Sequence, residues 1–285
     1  MSILALPHAQ PDVILIDWHA TLVNTHDAMY HAVDDVLPRL RELGLLERLL
    51  TAEQSKTVED AKLVKYVRDH QRLHPKVVAA RKISRTDIFE VLFGDDEDAK
   101  RRAHQAFDSA YRQHVGEVEP LEADARVQLM KLRELGVALG LISNRSREFM
   151  EQEVARVEEG GWADLFDVMV CGNDVPRRKP APDMLLEALS RLGRSPSEAC
   201  WYLGDSTTDV IAAKAAGVTS IFYNGAHWDQ AWLDKIFPGT QRHPSRPDAV
   251  VTDLPALVAM ARHLRAQNIR VTRHREGGPL GGFSE

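Results

Sequence analysis

Cysteine is nearly absent: Cys171 and Cys200 are the only two in 285 residues. Each lies in an apolar run, Val168–Cys171 and Ala199–Leu203. Both therefore read as small buried hydrophobes in a reducing compartment, not as a disulfide or metal pair. No C-x-x-C pair and no His-rich metal spacing occurs, which excludes the common zinc frameworks. No apolar run approaches the roughly 20 residues of a membrane span. The N-terminus lacks a charged segment followed by a long apolar one, so no signal peptide is expected. The expectation is a cytoplasmic protein without a membrane partner. Surplus positive charge is missing too. A net charge of -6 and a pI near 6.1 speak against a nucleic-acid partner, because phosphate-backbone binding selects clustered Lys and Arg. They do not speak against a small anionic substrate, since one local site can be positive on an acidic protein.

What is present is an ordinary globular composition, 44% hydrophobic and 27% charged, so burial supports a real core. The length suits a core domain plus a smaller one. Val13–Ile16 is a compact, mostly β-branched run ending at Asp17, the signature of a buried strand with an acid at its carboxyl end. From about Thr25 to Glu122 the texture changes to successive amphipathic helical stretches, Ala28–Leu43, Ala52–Leu73, Thr86–Leu92 and Asp98–Val115, with no convincing strand. An insert of that size is a second domain, not a loop. From Ala123 the chain alternates. Helices Ala125–Leu135, Arg147–Glu159, Pro182–Leu192 and Thr208–Ala216 are interleaved with strands Val137–Ser143, Phe166–Cys171, Ala199–Gly204 and Thr219–Tyr223. Asp248–Thr252 is a further strand, and Asp253 caps a last helix with Pro255 in its first turn. Alternation of this kind predicts a parallel sheet covered on both faces. The fold class expected is thus α/β: residues 1–24 and 123–266 form a Rossmann-like core, 25–122 an all-helical domain, and 267–285, polar and Gly-rich, a flexible tail.

Ligands of such sheets bind at the carboxyl ends of the strands, and Asp17, Ser143 and Asp205 all fall there. Four segments carry chemistry: Asp17 to Thr25; Ile142-Ser143-Asn144; Arg178-Lys179-Pro180-Ala181-Pro182-Asp183; and Gly204-Asp205-Ser206-Thr207-Thr208-Asp209 before a small-residue helix. Phosphoryl transfer needs charge neutralisation and in-line positioning. A carboxylate nucleophile can divide the reaction into two steps, and Mg²⁺ typically takes one or two carboxylates plus waters. Asp17 and Asp205 are of the right type for both tasks. Lys179 and Ser143 are of the right type to hold phosphate oxygens. Two carboxylates converging at strand ends repel each other unless a cation or Lys lies between them, which itself argues for a metal.

In this order the four segments resemble the motifs of the haloacid dehalogenase superfamily, over Asp17 to Asp209, with the helical block matching its helical cap type. The resemblance implies a Mg²⁺-dependent phosphohydrolase acting on a small phosphorylated metabolite. Asp17 is then the nucleophile and a metal ligand, and the backbone carbonyl of His19 a second ligand. Thr21 supports the motif loop, Ser143 holds the phosphate with Asn144 beside it, and Lys179 orients Asp17. Asp205 binds the metal with Asp209 behind it.

One departure matters. Phosphatases of this superfamily usually carry a second Asp two positions after the nucleophile, followed by Gly; here these are His19 and Ala20. Three readings stand side by side. His19 replaces that Asp as general acid and base, for which its reference pKa near 6.5 is suited. Alternatively, a cap lysine (Lys56, Lys62, Lys65 or Lys76) forms a Schiff base, as in the similar phosphonoacetaldehyde hydrolases. Or the site is impaired and binds a phosphorylated ligand or partner. The remaining residues of interest read more plainly. Ala80–Arg85 is a cationic loop, with Arg81 its candidate substrate contact. His70 and His74 are surface residues. Trp18 is a packing residue, and Trp228 and Trp232 pack a helix onto the core. His227 is a reserve proton donor at the cleft rim. Arg145 and Arg147 read as surface residues at a helix start.

Overall fold

A computed structural model describes residues 6–25, 28–80, 83, 85–114, 118–240 and 244–276. The chain begins with β1 (Val13–Asp17), whose five residues are all buried because both faces of the strand are covered. A tight loop then leads to β2 (Val23–Asn24). Helices α1 (Ala28–Val36), α2 (Val58–His70), α3 (Pro75–Ala80), α4 (Arg85–Phe93) and α5 (Glu97–Tyr111) follow. The chain returns through β3 (Glu119–Pro120), then α6 (Ala125–Glu134), β4 (Ala138–Ser143), α7 (Arg147–Arg156), β5 (Val168–Cys171) and α8 (Asp183–Arg191). Last come β6 (Cys200–Gly204), α9 (Thr207–Ala216), β7 (Thr219–Tyr223), α10 (Gln230–Ile236), β8 (Ala249–Val251) and α11 (Leu254–Glu276).

Six strands form one sheet in the order β5-β4-β1-β6-β7-β8, every neighbouring pair parallel. The alternation of β1 explains the two cores. Ile14 and Ile16 face a cluster built with α6, α7 and α11, while Val13 and Leu15 face another built with α8 and α9. The chain leaves β1 toward β4 and β5, then crosses back to β6 on its other side. The carboxyl ends of β1, β4 and β6 therefore adjoin where the order reverses, the crevice such sheets use for ligands.

Helices α1 to α5 have their own apolar cluster, centred on Phe89, Phe93, Phe107 and Tyr111, and one residue of α7, Phe149, joins it. The ring of Tyr111 meets that of Phe149 edge-on at 5.1 Å. The two strands of chain that enter and leave this insert lie side by side, as β2 and β3 pair antiparallel.

The structure corrects several expectations. The β2–β3 ribbon falls at a boundary where no strand was expected, because each strand is only two residues long. Helix α3 was not expected either. The expected helix Ala28–Leu43 gives way to a 3-10 turn at Leu37–Arg39, where Pro38 cannot donate a helical hydrogen bond. The expected helix Ala52–Leu73 divides into a 3-10 turn at Ala52–Gln54 and α2, whose start is fixed by a capping box between Thr57 and Asp60. Helix α7 ends at Arg156, short of Glu159, before Gly160 and Gly161 with positive φ. Helix α11 runs on to Glu276, so the described part of the expected tail is helical. Both cysteines are buried. No helix among the described residues is long and apolar enough to cross a membrane.

Candidate active site

Asp17 ends β1 and Lys179 comes from the loop before α8. The Lys179 ammonium donates to Asp17 Oδ1 at 2.6 Å, to Asp209 Oδ1 at 2.7 Å and to the Tyr202 hydroxyl at 2.7 Å. Tyr202 in turn donates to Asp209 Oδ1 at 2.8 Å. Burial works against the charge of Lys179, but Asp17 and Asp209 outweigh it and hold its pKa above the ordinary lysine value. This is a fixed ammonium with all three donors engaged.

Asp209 owes its place to local helix chemistry. Ser206 and Asp209 form the capping box of α9: the Asp209 N–H donates to Ser206 Oγ, and Asp209 Oδ2 accepts the Ser206 N–H at 3.1 Å and hydroxyl at 2.6 Å. Both Asp209 oxygens are thus occupied, which suits a supporting acid better than a direct ligand. Asp205 differs. It sits half-buried just past β6, and Thr21 reaches both its Oδ1 and Asp17 Oδ2 at 3.4 Å. Gly204 lets this turn form, since a Cβ there would collide with the Asp209 carboxyl group.

Oxygens of Asp17, Asp205 and Asp209 lie within 4.8 Å of one another. Burial first, then the neighbouring charges, push Asp17 up to about 6, with Lys179 pulling against the rise. Burial, Asp17 and Asp209 push Asp205 well above the carboxylate range. Three acids against one lysine leave negative charge uncompensated. A hard divalent cation fits this oxygen donor set, with Asp17 and Asp205 as the carboxylates still able to take it.

On the β4 side, Ser143 is buried and its Oγ accepts the Arg145 N–H at 3.2 Å. Asn144 joins loops: its Oδ1 accepts the Lys179 N–H at 3.0 Å, while its Nδ2 donates to the Lys179 carbonyl at 3.0 Å and to Thr86 Oγ1 at 2.7 Å. Helix α4 contributes more. Arg85 donates to the Asn144 carbonyl at 2.6 Å and to Asp108 at 2.9 Å, and Asp87 accepts the Thr208 hydroxyl at 2.5 Å. The first turn of α4 therefore spans the gap between the β4 and β6 loops.

His19 lies beside Asp17 with its side chain 27% exposed. Thr25 Oγ1 is 3.1 and 3.2 Å from its two ring nitrogens, Arg145 Nη2 is 3.5 Å from Nδ1, and Glu153 Oε2 is 3.8 Å from Nε2. Burial, then the charges of Arg145, Arg85 and Lys179, push this imidazole well below its usual range. Both effects favour the neutral ring. The ring thus lies below the reference value near 6.5 that suited it to the role, through burial first and the neighbouring cations second.

The structure thus brings Asp17, His19, Thr21, Ser143, Asn144, Lys179, Asp205 and Asp209 together at the carboxyl ends of the central strands. Arg81 lies outside the described residues. Arg145, expected on the surface, is buried. Arg85, expected in a cationic loop, is buried at the start of α4. Lys56, Lys62, Lys65 and Lys76 are exposed, and so is His227. Trp18 is a packing residue as expected, and of the tryptophan pair Trp228 packs on the core while Trp232 is 40% exposed. Tyr202, Glu153, Arg85 and Tyr111 were not expected at the site. Of these, Tyr202 carried a sequence signal, a hydroxyl-bearing side chain in an apolar strand.

A family model for haloacid dehalogenase-like hydrolases matches residues 14–223. The chain is similar to the phosphoglycolate phosphatase of Nitrosococcus oceani, 26% identical over 247 residues that cover 86% of this chain and 94% of that one. It is 31% identical over 147 residues to the phosphoglycolate phosphatase of Neisseria meningitidis, over 52% of this chain and 58% of that one. A solved structure from Bacteroides fragilis, described as a haloacid dehalogenase-like hydrolase, has the same fold: TM-score 0.56 and 22% identity, over 87% of this chain and 100% of that one. The family model spans this chain from β1 to β7 of its parallel sheet, and the chain belongs to the haloacid dehalogenase-like hydrolases.

Proposed function

We propose that this hydrolase is a Mg²⁺-dependent phosphatase of small phosphorylated metabolites, with Asp17 as its nucleophile. The observation that carries the reading is the Asp17 carboxylate. It is held at 2.6 Å by Lys179 and adjoins Asp205 at the carboxyl ends of three neighbouring strands. Asp17, Asp205 and the His19 carbonyl would hold the metal. Bound there, the cation would offset the negative charge that gathers between carboxylate and phosphate.

The chain's own residues do the rest. Lys179 keeps Asp17 ionised and offers charge to the phosphate. Ser143 supplies a hydroxyl to a phosphate oxygen. In the first step a bond forms between an Asp17 oxygen and phosphorus, and the ester bond to the leaving oxygen breaks. His19, neutral before substrate arrives, takes the proton that a phosphate monoanion carries in and returns it to the leaving oxygen. In the second step His19 takes a proton from water, water oxygen bonds phosphorus, and the bond to Asp17 breaks. Helices α1 to α5 act as the cap, and the first turn of α4 limits water access.

The cap-lysine reading has little support, since the four lysines it named are exposed. An impaired site is not favoured either, since nucleophile, lysine and both acids are in register. The names of the relatives make 2-phosphoglycolate the first natural ester to try. The test is hydrolysis of an aryl phosphate by wild type and Asp17→Asn, with Mg²⁺ and with chelator. Turnover that needs both Mg²⁺ and Asp17 is expected. Turnover that survives Asp17→Asn would sink the reading.

A further inference from the structure

One buried carboxylate besides Asp17, Asp205 and Asp209 touches three parts that the chemistry uses. Glu153 lies in the middle of α7 and is 1% exposed. Its Oε2 accepts the Trp18 indole N–H at 2.8 Å. Its Oε1 accepts Arg145 Nη1 at 2.8 Å and the Tyr111 hydroxyl at 3.1 Å. Trp18 directly follows Asp17. Arg145 stands two residues after Ser143 and donates its own N–H to the Ser143 hydroxyl. Tyr111 belongs to α5, in the insert. Arg145 also lies over the Tyr111 ring, 4.1 Å from its centroid. A charge at this depth is costly, and its stability could be matched by apolar packing. The neighbours of Glu153 on the same helix face, Phe149, Met150 and Val154, are apolar and buried. The helix therefore does not need an acid here; the loops around the site do.

We propose that Glu153 is a positioning residue of the phosphoryl-transfer site, fixing the spacing between the Asp17 loop and the Ser143 loop and tying both to α5 of the insert. The inference rests on the phosphatase reading. Glu153 does not reach the substrate; it acts through Trp18 and Arg145, and its Oε2 also lies 3.8 Å from His19 Nε2. Its loss lets Asp17 and Ser143 shift relative to each other, and a misplacement of about 1 Å costs up to ~10²-fold in rate. Lys179 keeps its own contacts, so substrate binding changes little.

The experiment measures kcat and KM on an aryl phosphate with Mg²⁺, beside melting temperature, for wild type, E153Q, E153D, W18F, Y111F and the double variant E153Q/W18F. Glutamine keeps the volume but removes the charge and turns one acceptor into a donor. The expected result for E153Q is a kcat loss of roughly 10- to 100-fold with KM within about threefold. E153D should recover part of that loss by restoring the charge. The double variant should be no slower than E153Q, since both changes cut the same link. Wild-type kcat in E153Q, or losses that multiply in the double variant, would overturn the proposal. So would a kcat loss that follows melting temperature with no recovery in E153D. If E153Q does not fold, W18F and Y111F each remove one hydrogen bond without removing a charge. Reduced kcat in W18F then supports the proposal, and wild-type kcat in both overturns it. A wild type without Asp17-dependent turnover overturns the phosphatase reading and this inference with it; normal turnover unchanged in E153Q overturns the inference alone.

Discussion

At position 19 an imidazole stands among three cations and one carboxylate, and that setting decides what it can do. With no ligand it is neutral, ready to accept a proton before it can give one. His19→Ala should therefore slow hydrolysis of alkyl phosphates by roughly 10²- to 10⁴-fold, the usual range for a proton-transfer group. An activated aryl phosphate, whose leaving group needs no proton, should lose far less. Equal losses for both esters would remove His19 from proton transfer. The next residue carries a separate cost. Ala20 has φ of 56°, a left-handed conformation that costs a side-chain-bearing residue about 1–2 kcal/mol. Ala20→Gly should raise stability by up to about 1 kcal/mol, read by denaturant unfolding, because the greater freedom of glycine in the unfolded chain offsets part of the relief. Gly204→Ala should act in the opposite sense. Its new methyl displaces the Asp209 carboxyl and with it a partner of Lys179, so activity should fall at least tenfold while the fold persists. Asp17, Lys179, Asp205 and Asp209 were legible as candidates because Asp17 and Asp205 fall at strand ends and Lys179 and Asp209 belong to the recognisable segments that precede or open helices. Glu153 was not. Its partner Trp18 is 135 positions away, and one glutamate in an acidic helix looks like a solvated one until the sheet brings the two together.

Elements of the sheet were legible for a physical reason: buried parallel strands are short continuous apolar runs, and Gly136 and Gly217 mark where helices stop. β7 lies where the sequence places it, at Thr219–Tyr223. The insert was legible as helical but not in its joints, because the short β2–β3 pair carries no periodicity to detect. The helix Thr86–Leu92 was legible, but Arg85 read as part of a loop, and the partners of Arg85, Thr86 and Asp87, namely Asn144 and Thr208, meet them only in three dimensions. Within the insert, α4 and α5 close over His104, which is buried, edge-on to Phe89 at 4.9 Å, with Nδ1 unpartnered. Burial, then the charges of Arg85, Arg178 and Lys100, hold its pKa well below 6.5. The sign is that of a depressed folded pKa. The stability this neutral ring contributes is intact above 6.5 and is lost as pH falls below it, because the unfolded chain binds a proton that the folded one resists. His104→Leu should weaken that acid limb in urea melts at pH 7.5, 6 and 5. An unchanged slope would mean that His104 titrates alike in both states.

For the whole molecule the dominant feature is a cluster of three acids with one lysine at the carboxyl ends of the central strands of an otherwise ordinary sheet. Asp17 is raised to about 6 from 3.8, and Asp205 is also raised well above 3.8. Groups raised in this way contribute stability below 3.8 and lose it as pH climbs through the folded value. Mg²⁺ should reverse that loss, so its effect on melting temperature should be larger at pH 7.5 than at pH 4.5. At a free concentration 100 times its Kd the gain is about 2.7 kcal/mol. A shift independent of pH, or one that survives Asp205→Asn unchanged, would place the ion elsewhere. The net charge of -6 is compatible with an anionic substrate because three cations, Arg145, Arg85 and Lys179, lie close enough to His19 to act on it. The proposed chemistry depends on Asp17 bonding to phosphorus, and one measurement addresses that directly: acid quench of the enzyme during turnover of an aryl phosphate with Mg²⁺, followed by peptide mapping by mass spectrometry. A phosphoryl group is expected on Asp17 in the wild type and none in Asp17→Asn. A phosphoryl group on another residue, or full turnover by Asp17→Asn, would contradict Asp17 as the nucleophile.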